Sequence, residues 1–279
     1  MAVGKSDRTL GKHILLQRLL DREIGVMNAR NYNDKLAFLG NEYIMIDLCA
    51  GDGRPTQQSQ KSSPMLMIEA ACKLRKLDQN TYRKSQDIFI NIILNEKDEF
   101  TYGELINTKL YEDCEKFNLD STKLNSIKTN RQLKNNSTIF IHADPNAITD
   151  WPLNDNFVNC LPRNTTMLIT LGCNVGGIKR LCLDDRQKWF DKMDAVLYNL
   201  NSWHDATLIV LNGDKAQWAY MIVGPKKWKD KYEVDAKKAF DYWDNGISVA
   251  NFKSDPEKFF EMRDLLFLTK KEREECIYA

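Results

Sequence analysis

Short apolar segments alternate along this chain with longer segments in which apolar side chains recur every three or four residues. A run of about four to eight β-prone residues bounded by Gly, Asp or Asn is typical of a strand, and the longer spacing is typical of an amphipathic helix. The first pattern predicts strands over residues 42–50, 88–94, 138–142, 167–171, 207–211 and 218–223. The second predicts helices over residues 12–28, 64–76, 98–117, 185–200, 235–243 and 255–268.

The alternation of strands and helices predicts an α/β fold, with a parallel Rossmann-like sheet and helices on both faces. Ligands bind such sheets beyond the carboxyl ends of the strands. Four of the predicted strands end at Gly, Asp, Asn or Glu, so we expect these ends to lie side by side on one rim. We place one domain over residues 1–224 and a mixed, mainly helical C-terminal extension over residues 225–279.

The most distinctive motif is the sequence DLCAGDGR at residues 47–54, directly after the first predicted strand. Its small residues allow the backbone to turn sharply and to approach a ligand closely. The motif is not a phosphate-binding GxxxxGK[ST] loop, because no Lys-Ser/Thr pair follows. It also departs from the GxGxxG dinucleotide pattern, since Arg-Pro-Thr follows Gly53. A glycine turn without a ligand is the alternative interpretation.

Residues 46–53 resemble motif I of class I methyltransferases, in which an acidic residue precedes a small-residue loop. The chain more closely resembles the three-Cys-motif partner protein family. That resemblance rests on KHIL at residues 12–15, on DLCAGDGR, and on SPMLMIEA at residues 63–70, in this order. Ser62 stands where the family has glycine, and the resemblance covers roughly the first 150 residues.

This resemblance implies a binding site for S-adenosylmethionine. The methionine part would lie against Asp47 and the loop residues Ala50, Gly51, Asp52 and Gly53. Other contacts implied by the family are those of Glu96 with the ribose hydroxyls, of Asp144 with the adenine amino group, and of His13 as a cover. The alternatives are an exposed strand-end charge for Glu96, an Asp-Pro turn for Asp144 and a surface or helix-packing histidine for His13.

The segment after the fourth predicted strand, LGCNVGG at residues 171–177, is the candidate catalytic loop. Amino-group methyltransferases carry Asp or Asn followed by Pro-Pro and an aromatic residue there, and the partner-protein family tends to carry Asp-Pro-Tyr-Gly. The acidic residue and the proline are both absent here. Asn174 is a candidate for orienting a substrate, with a glycine turn as the alternative. Cys173 lies near the nucleophile position of cytosine-C5 methyltransferases, with an inert thiol as the alternative.

Charge and composition restrict the partners. The chain has 279 residues and a formal net charge of +1, so nucleic-acid binding would need a local basic patch. Residues 225–232, PKKWKDKY, interleave basic and aromatic side chains that suit phosphates and bases, with a solvated lysine face as the alternative.

Several other classes are disfavoured. Seven cysteines without C-x-x-C spacing indicate reduced core thiols, and the N-terminus lacks the apolar region of a secretory signal. No apolar run approaches the roughly 20 residues of a membrane span, so we expect a cytoplasmic protein that does not contact membranes. The three histidines lie far apart, and we expect no metal site.

The sequence therefore favours an S-adenosylmethionine-dependent methyltransferase whose acceptor is unknown, nucleic acid being one candidate. A second hypothesis is a catalytically degenerate methyltransferase fold that acts through a protein partner. A third is an unrelated Rossmann-like nucleotide-binding protein.

Overall fold

The structure is a computed structural model that describes residues 7–30, 40–55, 61–79, 87–120, 136–145, 158, 161–171, 183–211 and 218–267. The helices of these residues are α1 (Asp7–Arg30), α2 (Ser63–Gln79), α3 (Glu99–Ile106), α4 (Leu183–Tyr198), α5 (Lys229–Ala239) and α6 (Pro256–Phe267). The strands are β1 (Glu42–Asp47), β2 (Phe89–Asn95), β3 (Glu115–Phe117), β4 (Thr138–Ala143), β5 (Asn164–Leu171), β6 (His204–Leu211), β7 (Trp218–Pro225) and β8 (Ile247–Asn251). Short 3₁₀ helices cover Lys109–Tyr111 and Lys226–Trp228.

The chain divides into two compact units, residues 1–143 with 162–166, and residues 144–161 with 167–279. In the first unit, β1 lies between β2 and β4, and β3 flanks β2, with every pair parallel. Asp47 is in register with Leu94 of β2 and His142 of β4. The carboxyl ends of these three strands therefore lie side by side, as the sequence predicted for them as part of a set of four.

Apolar burial fixes the position of β1 in the first unit. Every residue of β1 after Glu42 is buried, which is typical of an interior parallel strand covered on both faces. Helix α2 packs on β1 and β2, and α1 packs on α2 and β4. Leu16 and Leu20 of α1 and Met67 of α2 belong to this core.

The second unit contains antiparallel pairs. Strand β7 pairs with β5 on one side and with β6 on the other, and β6 also pairs with β8. Only residues 212–217 separate β6 from β7, and so short a connection joins antiparallel strands but not parallel ones. The predicted parallel pairing is thus present in the first unit, whereas the strands of the second unit pair in antiparallel fashion.

The predicted α/β, Rossmann-like fold class is confirmed: strands and helices alternate along the described residues, and helices pack on the strands of both units. One local prediction was wrong. The helix predicted over residues 98–117 ends at Ile106 and is followed by the 3₁₀ helix and by β3. The C-terminal extension, predicted as mixed and mainly helical, contains α5 and α6 together with a strand that was not predicted, β8, which begins after the positive-φ residue Gly246. The domain boundary after residue 224 stays a prediction.

No helix in the described part of the chain is long and apolar enough to cross a membrane.

Candidate functional site

The chain turns sharply where β1 ends, and neighbouring strand ends hold this turn in place. The Leu48 amide donates to the His142 carbonyl at 2.9 Å, and the Ala50 amide donates to the Asn95 carbonyl at 2.9 Å. Gly51 and Gly53 then adopt positive φ values of 60° and 71°. Since side chains disfavour this left-handed region, glycine is the residue that builds the turn at both positions.

The side chain of Asn95, at the end of β2, holds the start of the turn through hydrogen bonds. Its buried side-chain amide donates to the carbonyls of Leu48 and Leu119, both at 3.0 Å. Its side-chain oxygen accepts from the Leu119 amide at 3.1 Å. One buried side chain thereby satisfies three backbone groups and joins two segments at the same edge of the sheet.

The side of the turn at Gly53 is closed by packing. A Cβ atom on Gly53 would overlap Cε2 of Tyr111, closer than real atoms approach. The Tyr111 hydroxyl donates to the Gly53 carbonyl, and the Ser62 hydroxyl donates to the same oxygen at 2.7 Å. Burial raises the pKa of Tyr111, and its hydrogen bond with Ser62 opposes that shift.

The side of the turn at Gly51 is open. A Cβ atom on Gly51 would meet no atom of the described residues within 4 Å. The Gly51 amide donates to Oε2 of Glu96 at 2.9 Å, and the Asp98 amide donates to Oε1 of the same carboxylate at 2.9 Å. A carboxylate has about four lone-pair positions, so Glu96 keeps acceptor capacity beside the open space.

A buried ionisable pair lies directly before the turn. Oδ1 of Asp47 is 3.2 Å from Nδ1 of His142 and accepts from the Cys49 amide at 3.2 Å. Asp47 is fully buried and His142 is 1% exposed. Oδ2 of Asp47 and Nε2 of His142 are buried without a hydrogen-bond partner in the described structure. A buried oxygen in this state favours a donor from a ligand or a water molecule.

The structure brings together most of the residues that the sequence assigned to the cofactor. These are Asp47, Ala50, Gly51, Asp52, Gly53 and Glu96, all in the turn or bonded to it. The exposed rim carries the Asp52 carboxylate, which accepts from the Arg54 amide at 2.9 Å.

The remaining assigned residues lie on other elements of the structure or outside the described residues. His13 lies within α1 and Asp144 directly follows β4, both partly buried, and their roles stay predictions. Cys173 and Asn174 lie outside the described residues.

Four residues of the site were not assigned from the sequence: Ser62, Asn95, Tyr111 and His142. Asn95 and His142 are polar residues at the carboxyl ends of strands, where ligands bind in such sheets. Their positions in the sequence could therefore have identified them. Tyr111 carries no such signal because it falls inside a segment that the sequence predicted as continuous helix.

Groups of three or more His, Cys, Asp or Glu side chains that could hold a metal ion are absent from the described part of the chain.

No protein-family model matches this chain, and no curated protein matches it. Solved structures that resemble it include a Legionella pneumophila protein of the family DUF519, with 14% identity, a TM-score of 0.46, and coverage of 87% of this chain and 95% of that chain. Another is the O-methyltransferase TomG of tomaymycin synthesis from Streptomyces achromogenes, in complex with S-adenosylmethionine. It has 12% identity, a TM-score of 0.34, and coverage of 80% and 92%.

A third is an O-methyltransferase from Bacillus cereus in complex with S-adenosylhomocysteine, with 11% identity, a TM-score of 0.33, and coverage of 80% and 93%. At these identities and TM-scores the likeness assigns neither a family nor an activity to this chain.

Proposed function

We propose that this chain is a methyltransferase-like protein that binds S-adenosylmethionine at the turn after β1. One observation carries the proposal: the open space at Gly51 lies beside the Glu96 carboxylate at the carboxyl ends of adjacent parallel strands. That edge of an open α/β sheet is where nucleosides bind.

The side chains present fit such a ligand. Glu96 has acceptor capacity for ribose hydroxyl groups, and the bare backbone at Gly51 allows close approach. Oδ2 of Asp47, which has no hydrogen-bond partner among the described residues, suits a cationic donor at the end of β1. When bound, S-adenosylmethionine supplies an electrophilic methyl group. The task of this chain is then to hold and align the reactants, which alone contributes several kcal/mol to such a reaction.

The family, the cellular location and the catalytic residues in this proposal rest on the sequence. KHIL, DLCAGDGR and SPMLMIEA support relationship to the three-Cys-motif partner proteins, and the cysteine pattern supports a cytoplasmic location. In this proposal Asn174 and Cys173 are the candidate catalytic residues, and nucleic acid is the acceptor to test first.

A second candidate function is a partner protein that binds the cofactor without transferring its methyl group. One observation favours it: the sequence LGCNVGG after β5 lacks the acidic residue and the proline of amino-group methyltransferases.

Isothermal titration calorimetry with S-adenosylmethionine, S-adenosylhomocysteine, NAD and ATP tests the proposal. We expect the two sulfur nucleosides to bind and Gly51→Leu to abolish binding, because its side chain fills the open space. Gly246→Leu is the matched control, since Gly246 also has a positive φ (70°) and open space beyond it. Binding of NAD or ATP instead would contradict the proposal. So would equal loss of binding in both variants.

Transfer of a labelled methyl group to DNA, RNA or a cell extract then separates the two functions. Labelling of any acceptor supports the enzyme. Firm cofactor binding without labelling of any of them supports the partner role.

A further inference from the structure

Three separate segments of the second unit that carry lysine and tryptophan residues are joined by hydrogen bonds. The Lys226 amide donates to the Trp203 carbonyl at 2.8 Å, which joins the 3₁₀ helix after β7 to the turn before β6. Nζ of Lys253, in the turn after β8, donates to the Asn201 carbonyl at 2.7 Å. The sequence pattern at residues 225–232 showed only one of these segments.

The assembled surface is basic. We call it the Lys–Trp surface and define it as Trp203, Lys226, Lys227, Trp228, Lys229 and Lys253. Burial lowers the pKa of Lys253, nearby Lys226 acts in the same direction, and Asp205 opposes both. Asp205 is 2% exposed, so its carboxylate is not presented to solvent.

Exposed carboxylates of the same segments are Asp230 and Asp255. Of the four lysines of the Lys–Trp surface, Lys229 donates to the Ser254 hydroxyl at 2.7 Å and Lys253 donates to main-chain carbonyls, so Lys226 and Lys227 are the exposed ones. Four ammonium groups against two exposed carboxylates give these segments a positive charge, and an anionic partner is favoured.

The exposed ring of Trp203 decides which anion fits. Trp203 is 49% exposed, whereas Trp228 is half-buried with Nζ of Lys227 5.8 Å from the centre of its ring. An exposed indole on the same surface as several lysines is the combination that stacks on unpaired bases while the lysines contact phosphates. A membrane surface or an acidic peptide uses the charge but offers no base to stack on the ring.

We propose that the Lys–Trp surface binds single-stranded nucleic acid. This proposal is independent of the cofactor site, because it concerns the second unit and needs no methyl donor.

Fluorescence anisotropy with a labelled RNA or DNA single strand of about 12 nucleotides tests it, without S-adenosylmethionine present. We expect binding whose log-log salt dependence between about 50 and 200 mM has a slope of roughly −3, near −0.7 for each phosphate neutralised. The double variant Lys226→Glu/Lys227→Glu should weaken binding at least about tenfold and flatten the slope by about 1 or more.

Lys237→Glu/Lys238→Glu is the matched control, since it makes the same charge change at two exposed lysines of α5 outside the surface. Trp203→Ala should weaken binding about tenfold through lost stacking, and Trp203→Phe should restore most of it. Circular dichroism melting confirms that each variant is folded.

Four results would overturn the proposal: no binding by the unchanged protein, equal loss in the control variant, tighter binding to a duplex without any effect of Trp203→Ala, or binding only to vesicles containing phosphatidylserine. None of these bears on cofactor binding, which calorimetry measures separately.

Discussion

The two glycines of the turn after β1 share a left-handed backbone and differ in what lies beyond them. At Gly53 the space for a side chain is filled by Tyr111, and two hydroxyl groups donate to its carbonyl. At Gly51 no atom of the described residues enters that space, and a carboxylate accepts from its amide. The Gly53 side of the turn is thus part of the packed core, whereas the Gly51 side forms a surface.

This difference separates two roles that a glycine motif combines. A glycine required by packing affects stability when it is changed, and a glycine required by close approach affects ligand binding. The motif GDG does not show which glycine has which role, because both need the same φ. The neighbours of each glycine supply the answer.

The largest expected effect is on stability and comes from Gly53→Ala. The positive φ costs about 1–2 kcal/mol for any side chain. The contact with Tyr111 adds a further ~1–3 kcal/mol. Gly51→Ala carries the first cost only, so urea unfolding should give the two variants clearly different free energies of unfolding. Equal values would show that the two sides of the turn are packed alike.

A smaller effect is expected from Tyr111→Phe, which removes one of the two donors to the Gly53 carbonyl. Loss of this hydrogen bond should cost about 1 kcal/mol near neutral pH, because Ser62 still satisfies the oxygen. The effect should be greater than that of Tyr198→Phe, whose ring is 70% exposed.

The same variant gives a pH test. Burial raises the pKa of Tyr111 in the folded state, so its contribution is fully present below the pKa of the unfolded chain. That contribution is lost as the pH rises from there through the folded-state pKa. The difference in unfolding free energy between the protein and Tyr111→Phe should therefore narrow above pH ~10, the ordinary tyrosine pKa. A constant difference across this range would contradict the burial argument.

The smallest expected effect on stability, and the one most specific to the ligand, comes from Glu96→Gln. The amide oxygen still accepts one backbone N–H, so the unfolding free energy should fall by no more than about 1 kcal/mol. Affinity for S-adenosylmethionine should fall about tenfold or more, because a charged acceptor of hydroxyl groups is replaced by a neutral one. Glu104→Gln, on the exposed ion pair with Arg54, is the control and should leave affinity unchanged. Equal affinities of Glu96→Gln and the unchanged protein would remove Glu96 from the proposed site.

Local sequence patterns predicted the framework of the first unit well. β1, β2 and β4 are apolar runs with polar residues at their ends, so their location followed from burial alone. The turn followed from its glycines. These signals are short-range, and the residues that produce them are adjacent in sequence.

The partners of the turn could not be predicted in the same way. Tyr111 reaches Gly53 from 58 residues away, because the chain leaves helical geometry after Ile106. β8 was missed because it is short and includes polar Ser248 and Asn251. Both depend on contacts distant in sequence, which hydrophobic periodicity does not encode.

The Glu96 carboxylate accepts from the amides of Gly51 and Asp98, and Asp98 is the N-cap of α3, where its side chain accepts from the Thr101 amide at 2.8 Å. One anion thus connects the bare backbone beside β1 to the first turn of a helix. A ligand that displaces the Glu96 carboxylate would break the hydrogen bonds of the Gly51 and Asp98 amides together. A change of conformation at the glycine turn would therefore also change the start of α3.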